Sequence, residues 1–358
     1  MDKPVRVGTR GSPLALSQTR WVVERLGSGP VEIVVIKTSG DRLAQASLAE
    51  FGGKGLFVKE IEEALLEGRV DVAVHSLKDL PAEIPPGLCL AALPPREDPR
   101  DVLVSRSRGG IDALPKRAIV GTGSLRRRVQ LLASRPDLTV EPIRGNVDTR
   151  LRKLESGALD AVMLAAAGLN RLGLSPEGAH RLPPEEFIPA VGQGILAIEA
   201  RQGDRAILDL LAGLDHAETR QRALAERAFL SCLGGSCHTP VAAHAGLSDH
   251  GELVMVGMVA SLDGRRVIRA LVSGPAAGAE ALGEKLAEEL NAQGAQAILQ
   301  ELLEKYAEHG AAQFSMPDIL KVPPVSEHGT VPEIIQLFGG PENLKAAVTE
   351  LQNLLYAA

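Results

Sequence analysis

The sequence predicts an α/β protein with two lobes built on parallel-rich sheets, followed by a smaller α+β domain. Over about the first 200 residues, short β-branched runs alternate with helical patterns. Two proline-rich, charged segments, 93–100 and 182–186, interrupt this alternation and enclose one complete α/β unit. From about residue 217, a helical pattern leads into several strand-like runs, which is typical of an α+β domain.

The elements of the two lobes follow from residue type and spacing. Strands are predicted where β-branched residues cluster, at 5–7, 31–36, 71–75, 118–120, 138–140, 159–164 and 194–199. Helices are predicted at about 13–26, 56–67, from 125 onward, and 147–155. Parallel strands need long crossovers, so this order favours parallel-rich sheets. The last strand, 194–199, is expected to return to the first sheet.

The remaining chain is predicted as a third domain and a tail. Strands are expected at 253–259 and 266–272, and one long helix at 279–301. Prolines make 310–333 an extended linker, and helical spacing at 341–356 favours a packing helix or dimer contact. The expected domain limits are 1–95 plus 194–214 for lobe 1, 98–190 for lobe 2, 216–305 for the α+β domain and 306–358 for a tail of open role.

Composition excludes several classes of protein. A net charge of −6 argues against a general nucleic-acid binder, which usually carries a basic excess. The first residues lack the apolar core of a signal peptide, and no apolar run approaches the length of a bilayer span. Three cysteines are too few for a disulfide framework. We therefore expect a cytoplasmic protein with free thiols and without membrane or nucleic-acid partners.

Arginines recur immediately after the predicted strands. Ser12 before Pro13 is a good helix start, and Arg10 stands beside it, where an anion would lie. The segment 121–128 joins a strand to a helix in the same way, and its glycines do not form a complete dinucleotide fingerprint. The arginines that share this placement are Arg10, Arg126, Arg127, Arg144, Arg150 and Arg171. In an acidic protein this pattern indicates a polyanionic ligand; salt bridges to nearby acids would account for at most one or two of the three consecutive arginines at 126–128.

Two further loops carry candidate residues. Lys78 and Asp79 follow the strand at 71–75, where a carboxylate beside a cation stays ionised and can stabilise a cationic transition state; a plain surface charge pair is the alternative. The glycine-rich segment 52–57 opens a helix but lacks the phosphate-loop ending, so Lys54 belongs either to a mobile hinge or to an anion contact.

The three thiols are expected to differ. Cys237 lies on a glycine-flanked loop, where an exposed thiol is a nucleophile or an attachment point. A metal site there is disfavoured because only three potential ligands lie together. Cys89 and Cys232 are expected to be buried and inert.

Taken together, these motifs resemble those of the porphobilinogen deaminase family. The segments that carry the resemblance, in family order, are 9–15, 52–57, 75–81, 124–127, 144–146, 192–194 and 235–237. The resemblance covers about residues 4–305, and the set is far more specific than any single motif. Two departures are Ser236, where glycine is common, and the tail after about residue 306.

The resemblance implies a fold, a cofactor and a reaction. Two lobes would resemble periplasmic binding proteins, and a third domain would hold a dipyrromethane cofactor through a thioether to Cys237. Four porphobilinogen units would join this primer, each releasing ammonia, before hydroxymethylbilane is hydrolysed off. Each pyrrole adds an acetate and a propionate, which many arginines in one cleft would neutralise. A monomer acting on this small molecule is expected.

The resemblance also implies residue roles. Asp79 would be the catalytic carboxylate. The residues expected at the cofactor are Cys237, Lys78, Ser76, Ser124, Arg126, Arg127 and Arg150. Those expected at the substrate are Arg10, Ser12, Arg144, Arg171, Phe57, Lys54 and Gln193. No metal is expected. A solute-binding protein and a dinucleotide-dependent enzyme are the alternatives; the first would normally carry an export signal and the second a complete glycine fingerprint.

Overall fold

In the computed structural model, the described residues are 3–27, 29–39, 58–235 and 239–308. The chain divides into two compact units, one of residues 1–47 and 55–304 and the other of residues 48–54 and 305–358. The strands described here lie in the first unit: β1 Val5–Thr9, β2 Val31–Val35, β3 Val72–Ser76, β4 Leu88–Ala92, β5 Asp101–Ser105, β6 Ile119–Gly121, β7 Thr139–Glu141, β8 Ala161–Ala165, β9 Ala179–Arg181, β10 Leu196–Arg201, β11 Val241–Leu247, β12 Glu252–Ala260 and β13 Val267–Pro275.

The α-helices follow the predicted rhythm closely. They are α1 Pro13–Val23, α2 Lys59–Leu66, α3 Leu125–Ser134, α4 Val147–Glu155, α5 Ala166–Arg171, α6 Arg205–Leu211, α7 Ala217–Cys232, α8 Ala279–Ala292 and α9 Ala295–Glu308. The predicted long helix at 279–301 is wrong, because α8 and α9 are separate. The break contains Gly294 at φ +97°, a conformation that favours glycine.

The first lobe is built on a five-stranded sheet in the order β2-β1-β3-β10-β4. β1 runs parallel to β2 and β3, whereas β10 pairs antiparallel with β3 and β4. The centre of the sheet is buried on both faces, because Val72 and Ala73 of β3 point to opposite faces and are both 0% exposed. Strand 194–199 therefore returns to the first sheet, although as an antiparallel strand.

The second lobe repeats this plan in the order β7-β6-β8-β5-β9. β6 is parallel to β7 and β8, and β5 is antiparallel to β8 and β9. In both lobes the three parallel strands are those that the helical crossovers connect. The fold class is therefore α/β, with two similar lobes and parallel-rich sheets.

Two crossover segments join the lobes and lie side by side. The amide of Glu97 donates to the carbonyl of Gly194 at 3.1 Å. Gly194 has φ +89°, and a Cβ there would stand 2.3 Å from the Glu97 carbonyl oxygen. Only glycine allows the two segments to approach this closely.

The third domain is an antiparallel sheet, β11-β12-β13, covered by α7 and α8. Phe229 and Leu286 are fully buried between these layers. A Cβ on Gly283 would stand 2.1 Å from the carbonyl oxygen of Ala225, so the two helices pack with their backbones in close contact. In the described part of the chain, no helix has both the length and the apolar character to cross a membrane.

Candidate active site

The Lys78–Asp79 pair stands at the end of β3, a largely buried strand of lobe 1. β3 is terminated by a 3₁₀ turn, Leu77–Asp79, whose Leu77 side chain is buried against the lobe. The Lys78 side chain is half-buried and Asp79 is exposed. Just before the turn, Ser76 Oγ accepts a hydrogen bond from Gln18 Nε2 at 2.9 Å. The turn thus presents a carboxylate to solvent beside a sheltered amine.

The second group of candidates opens α3 in lobe 2. Ser124 is the N-cap, and its Oγ accepts from the amide of Arg127 at 3.4 Å. Arg126 and Arg127 are only 4% and 5% exposed, and both guanidinium groups bind the carboxylate of Asp101. Arg128, in contrast, donates to the carbonyl of Val140 at 2.9 Å. Two of the three consecutive arginines therefore share one buried acid.

Asp101 and Gln193 connect the two groups. Gln193 Nε2 donates to Asp101 Oδ1 at 3.0 Å, and Gln193 Oε1 lies 3.5 Å from Lys78 Nζ. Burial opposes the charge of Asp101, but Arg126 and Arg127 outweigh it and hold the pKa of this carboxyl well below its usual range. Burial is the main reason that the pKa of Lys78 falls to about 8, with Asp79 opposing the shift.

The remaining candidate arginines surround this centre. Arg150 is half-buried, and its Nε donates to the carbonyl of Gly145 at 3.0 Å. Burial, reinforced by Arg127, lowers the pKa of Arg150 to about 10. Arg171 Nη2 donates to the carbonyl of Gly194 at 2.7 Å, and burial lowers its pKa to about 10 as well. Both guanidiniums remain charged at neutral pH.

Three other predicted contact residues have half-buried side chains. Ser12 caps α1, and its Oγ accepts from the amide of Ala15 at 3.2 Å. Arg10 follows β1 and Arg144 follows β7, and neither is without an interaction partner. Lys54, Phe57 and Cys237 lie outside the described residues.

The other two thiols are not buried as expected, while their expected inertness stays a prediction. Cys89 is half-buried and Cys232 is exposed, because Cys232 is the last residue of α7 and does not face the core of the third domain. Burial and nearby carboxylates raise the pKa of both thiols, so both are mainly protonated at neutral pH.

Sequence reasoning missed the acid at the centre of the site. Asp101 stands at the end of the charged, proline-rich segment 93–100, which reads as an exposed linker. It also missed Glu226, which is fully buried and accepts from Arg96 Nη1 at 2.6 Å and from the amide of Gly192 at 2.6 Å. Both acids lie beside a glycine- or proline-rich crossover: Asp101 follows the segment 93–100, and Glu226 binds the amide of Gly192. These crossovers were the available sequence signal.

The arrangement suits a ligand with several acid groups. Lys78, Arg126 and Arg127 face a single buried carboxylate, so positive charge is in excess. Among the described residues, the Arg126 Nε–H is buried and has no hydrogen-bond partner. A carboxylate is the ligand that would satisfy it. No group of His, Cys, Asp and Glu within the described ranges has the arrangement of a metal site.

Comparison with known families agrees with this chemistry. The model of the porphobilinogen deaminase, dipyromethane cofactor binding domain, matches residues 5–209, and that of the porphobilinogen deaminase C-terminal domain matches residues 220–292. A third model, EcoEI R protein C-terminal, matches residues 269–356, which include the tail.

Individual proteins give the same result over most of the chain. A porphobilinogen deaminase from Syntrophus aciditrophicus is 52% identical over 303 residues, covering 83% of this chain and 98% of that protein. One from Brevibacillus brevis is 50% identical over 302 residues, covering 83% and 97%. Among solved structures, a periplasmic binding protein from Salmonella typhimurium with high arginine specificity is 15% identical, with a TM-score of 0.34 over 59% of this chain and 91% of that one.

These matches decide among the sequence alternatives. Neither a solute-binding protein nor a dinucleotide-dependent enzyme accounts for about 50% identity to deaminases over more than four-fifths of the chain. The chain therefore belongs to the porphobilinogen deaminase family, the transferases of tetrapyrrole biosynthesis that carry a dipyrromethane cofactor.

Proposed function

We propose that this chain joins four porphobilinogen units, head to tail, on a dipyrromethane primer that a thioether links to Cys237, and releases hydroxymethylbilane. The observation that carries the residue assignments is the buried excess of positive charge around Asp101, next to the exposed Asp79 carboxylate. The donors in this site fit a ligand that bears several carboxylates.

The residues that would hold the primer are Lys78, Ser76, Ser124, Arg126, Arg127 and Arg150. When bound, the dipyrromethane supplies the terminal pyrrole carbon at which the chain grows. The unpartnered Arg126 Nε–H and the amine of Lys78 are suited to its acid groups. Since the tether keeps the primer in the site, coupling becomes effectively intramolecular.

The residues that would receive the incoming porphobilinogen are Arg10, Ser12, Arg144, Arg171 and Gln193, with Phe57 and Lys54. Arg171 supports this role because its guanidinium is sheltered yet charged at the lobe crossover. Arginine suits the acetate and propionate of each pyrrole because its planar fork matches a carboxylate.

Asp79 would be the catalytic carboxylate. In each addition the aminomethyl C–N bond of porphobilinogen breaks, a C–C bond forms, and the displaced ring proton leaves with the ammonia. Positive charge develops on the substrate as ammonia departs, and an ionised carboxylate that accepts the pyrrole N–H stabilises that charge. The exposure of Asp79 at the end of β3 makes it reachable by substrate.

We extend the proposal to organisation and location. The domains would be lobe 1 at 1–95 plus 194–214, lobe 2 at 98–190, the cysteine-carrying domain at 216–305 and a tail at 306–358. The pairing of β10 with β3 and β4 supports the split lobe 1. The location would be cytoplasmic and the chain a monomer without membrane partners; the net charge of −6 supports the absence of a nucleic-acid partner.

Intact mass tests the tether. We expect the purified protein to exceed its sequence mass by one pyrrole pair and Cys237→Ala to lack that excess. Cys232→Ala is the matched control, because it removes an exposed thiol from the same region and should leave the excess unchanged. An unmodified protein with full activity would refute the primer assignment.

A second variant tests the carboxylate. Asp79→Asn keeps the shape of the side chain and should retain fold and primer while turnover falls by about 10²-fold or more. Asp112→Asn is the control, because Asp112 is also exposed in a 3₁₀ turn. Near-normal turnover of the Asp79 variant would remove this residue from the mechanism.

A further inference from the structure

Asp101 is a buried acid to which the proposed reaction gives no role. It is the first residue of β5, directly after the crossover segment, and its side chain is 0% exposed. An isolated carboxylate at such a position is strongly unfavourable. Its surroundings must therefore explain why it is present.

Five N–H groups converge on this carboxylate. Oδ2 accepts from Arg126 Nη1 at 2.6 Å, and Oδ1 accepts from Arg126 Nη2 at 3.2 Å. Oδ1 also accepts from Arg127 Nη2 at 2.7 Å, from Arg127 Nε at 3.0 Å and from Gln193 Nε2 at 3.0 Å. One acid thus fixes two guanidinium planes on α3 and one amide on the other crossover.

The amide carries the connection to lobe 1. Gln193 Nε2 also donates to the carbonyl of Pro99 at 2.7 Å, which fixes the orientation of the amide. Its Oε1 consequently faces Lys78 Nζ at 3.5 Å. The chain of contacts from Asp101 through Gln193 to Lys78 spans both crossovers.

Charge explains why this arrangement does not close the site to a ligand. Two guanidiniums and one amine outnumber the buried Asp101 and the exposed Asp79, so a net positive charge remains, and the Arg126 Nε–H has no partner in the described chain. We propose that Asp101 is the positioning residue of the primer site: it holds Arg126 and Arg127 directly, and Lys78 through Gln193, where the primer's acid groups bind. This inference rests on the proposed function.

Two substitutions of Asp101 distinguish the effect of the position of its carboxylate from the effect of its charge. Asp101→Glu keeps the charge but moves the carboxylate by one methylene, and Asp101→Asn keeps the shape but removes the charge. We expect either change to lower the primer-loaded fraction, measured by intact mass, by at least about tenfold, the loss expected when bonds to charged groups are misplaced. Thermal melting of the same samples reports whether the fold persists.

Asp71→Asn is the matched control. Asp71 is likewise bound by two arginines, with Arg6 Nη2 at 2.7 Å and Arg201 Nη2 at 3.2 Å, but it stands at the other end of β3. We expect this variant to melt at a lower temperature and to be fully loaded. If Asp101 had a purely structural role, its variants would likewise melt at a lower temperature and be fully loaded with primer. Full loading of folded Asp101→Glu would therefore overturn the inference.

If neither Asp101 variant accumulates as folded protein, the Gln193→Leu variant tests the positioning role instead. It removes only the amide bridge, so Lys78 should react faster with an amine reagent and the loaded fraction should fall. Unchanged Lys78 reactivity together with full loading would overturn the positioning role. Absence of primer from the unsubstituted protein would instead refute the proposed function.

Discussion

β5 and β10 occupy equivalent places in the two lobes, yet they bury their carboxylates in opposite ways. Each is the antiparallel strand beside the last parallel strand of its sheet, and each carries a fully buried acid, Asp101 or Glu199. Asp101 is bound by two arginines and an amide. Glu199 lies beside His75, with 3.0 Å between Oε2 and Nε2, and neither of its oxygens has a hydrogen-bond partner in the described residues.

The difference lies in the helix that covers each strand. Lobe 2 places the arginines of α3 against its acid, and the acid stays ionised. Lobe 1 places Glu62 of α2 near Glu199; burial, aided by Glu199 and opposed by His75, raises the pKa of Glu62 to about 7. The acid at this sheet position therefore lies either against arginines that fix its charge or near a helix carboxyl, Glu62, whose own pKa is raised, depending on which side chains a neighbouring helix supplies.

Removal of one guanidinium from the ionised site should have the largest effect. Arg127→Met leaves Asp101 with a single arginine and the carbonyl of Met163 without its donor, so we expect a loss of about 3–5 kcal/mol in the free energy of unfolding. Denaturant titration measures this loss. Arg128→Met, on the same helix, should cost about 1 kcal/mol, since it removes one bond to a carbonyl. Equal losses would mean that Asp101 does not depend on its cations.

The raised pKa of Glu62 predicts that replacing this residue stabilises the protein in a pH-dependent way. Because the pKa of Glu62 is raised from 4.5 to about 7, the folded state holds more protons than the unfolded state in that window, and stability falls as pH rises through it. Glu62→Gln should therefore be more stable than the unsubstituted protein by about 2 kcal/mol at pH 8 and nearly equal to it at pH 4.5. Glu63→Gln, exposed on the same helix, should show no such pH dependence.

The contacts that link Asp101 through Gln193 to Lys78 in lobe 1 predict a kinetic effect of intermediate size. The amine of Lys78, with a pKa of about 8, loses its proton above that pH and with it its attraction for carboxylates. The rate at which primer-free protein takes up its primer, followed by intact mass, should fall about tenfold between pH 7 and pH 9. Lys78→Arg keeps the charge and should abolish this fall. A loading rate that falls equally in both proteins would point to a different titrating group.

The smallest effect compares the two helix caps. Ser12 and Ser124 each accept from an amide three residues onward, at 3.2 Å and 3.4 Å. Ser12→Ala and Ser124→Ala should each cost about 1 kcal/mol in unfolding free energy, with the larger loss at the shorter bond. A loss of stability at only one of the two serines would show that the N-caps of α1 and α3 are not equivalent.

The sequence predicted the parts of this comparison that depend on local spacing. β-branched runs predicted β1 and β3, Ser-Pro at 12–13 predicted the start of α1, and the segment 121–128 predicted the start of α3; the anion site stays a prediction. Asp101 was missed because its partners are distant along the chain and its own segment begins among prolines and charges. The short strands β4, β5 and β9 were missed for a similar reason, since they form only when the neighbouring strand is in place.

The position of β10 between β3 and β4 has a consequence for biosynthesis. When the ribosome has just finished translating lobe 2, β4 still has no neighbour in its own sheet, whereas lobe 2 already has all its strands. At ordinary elongation rates, the hundred or so intervening residues take roughly 5–20 s to emerge. The inserted lobe should therefore fold first, and the lobe that begins the chain should be the last of the two to close.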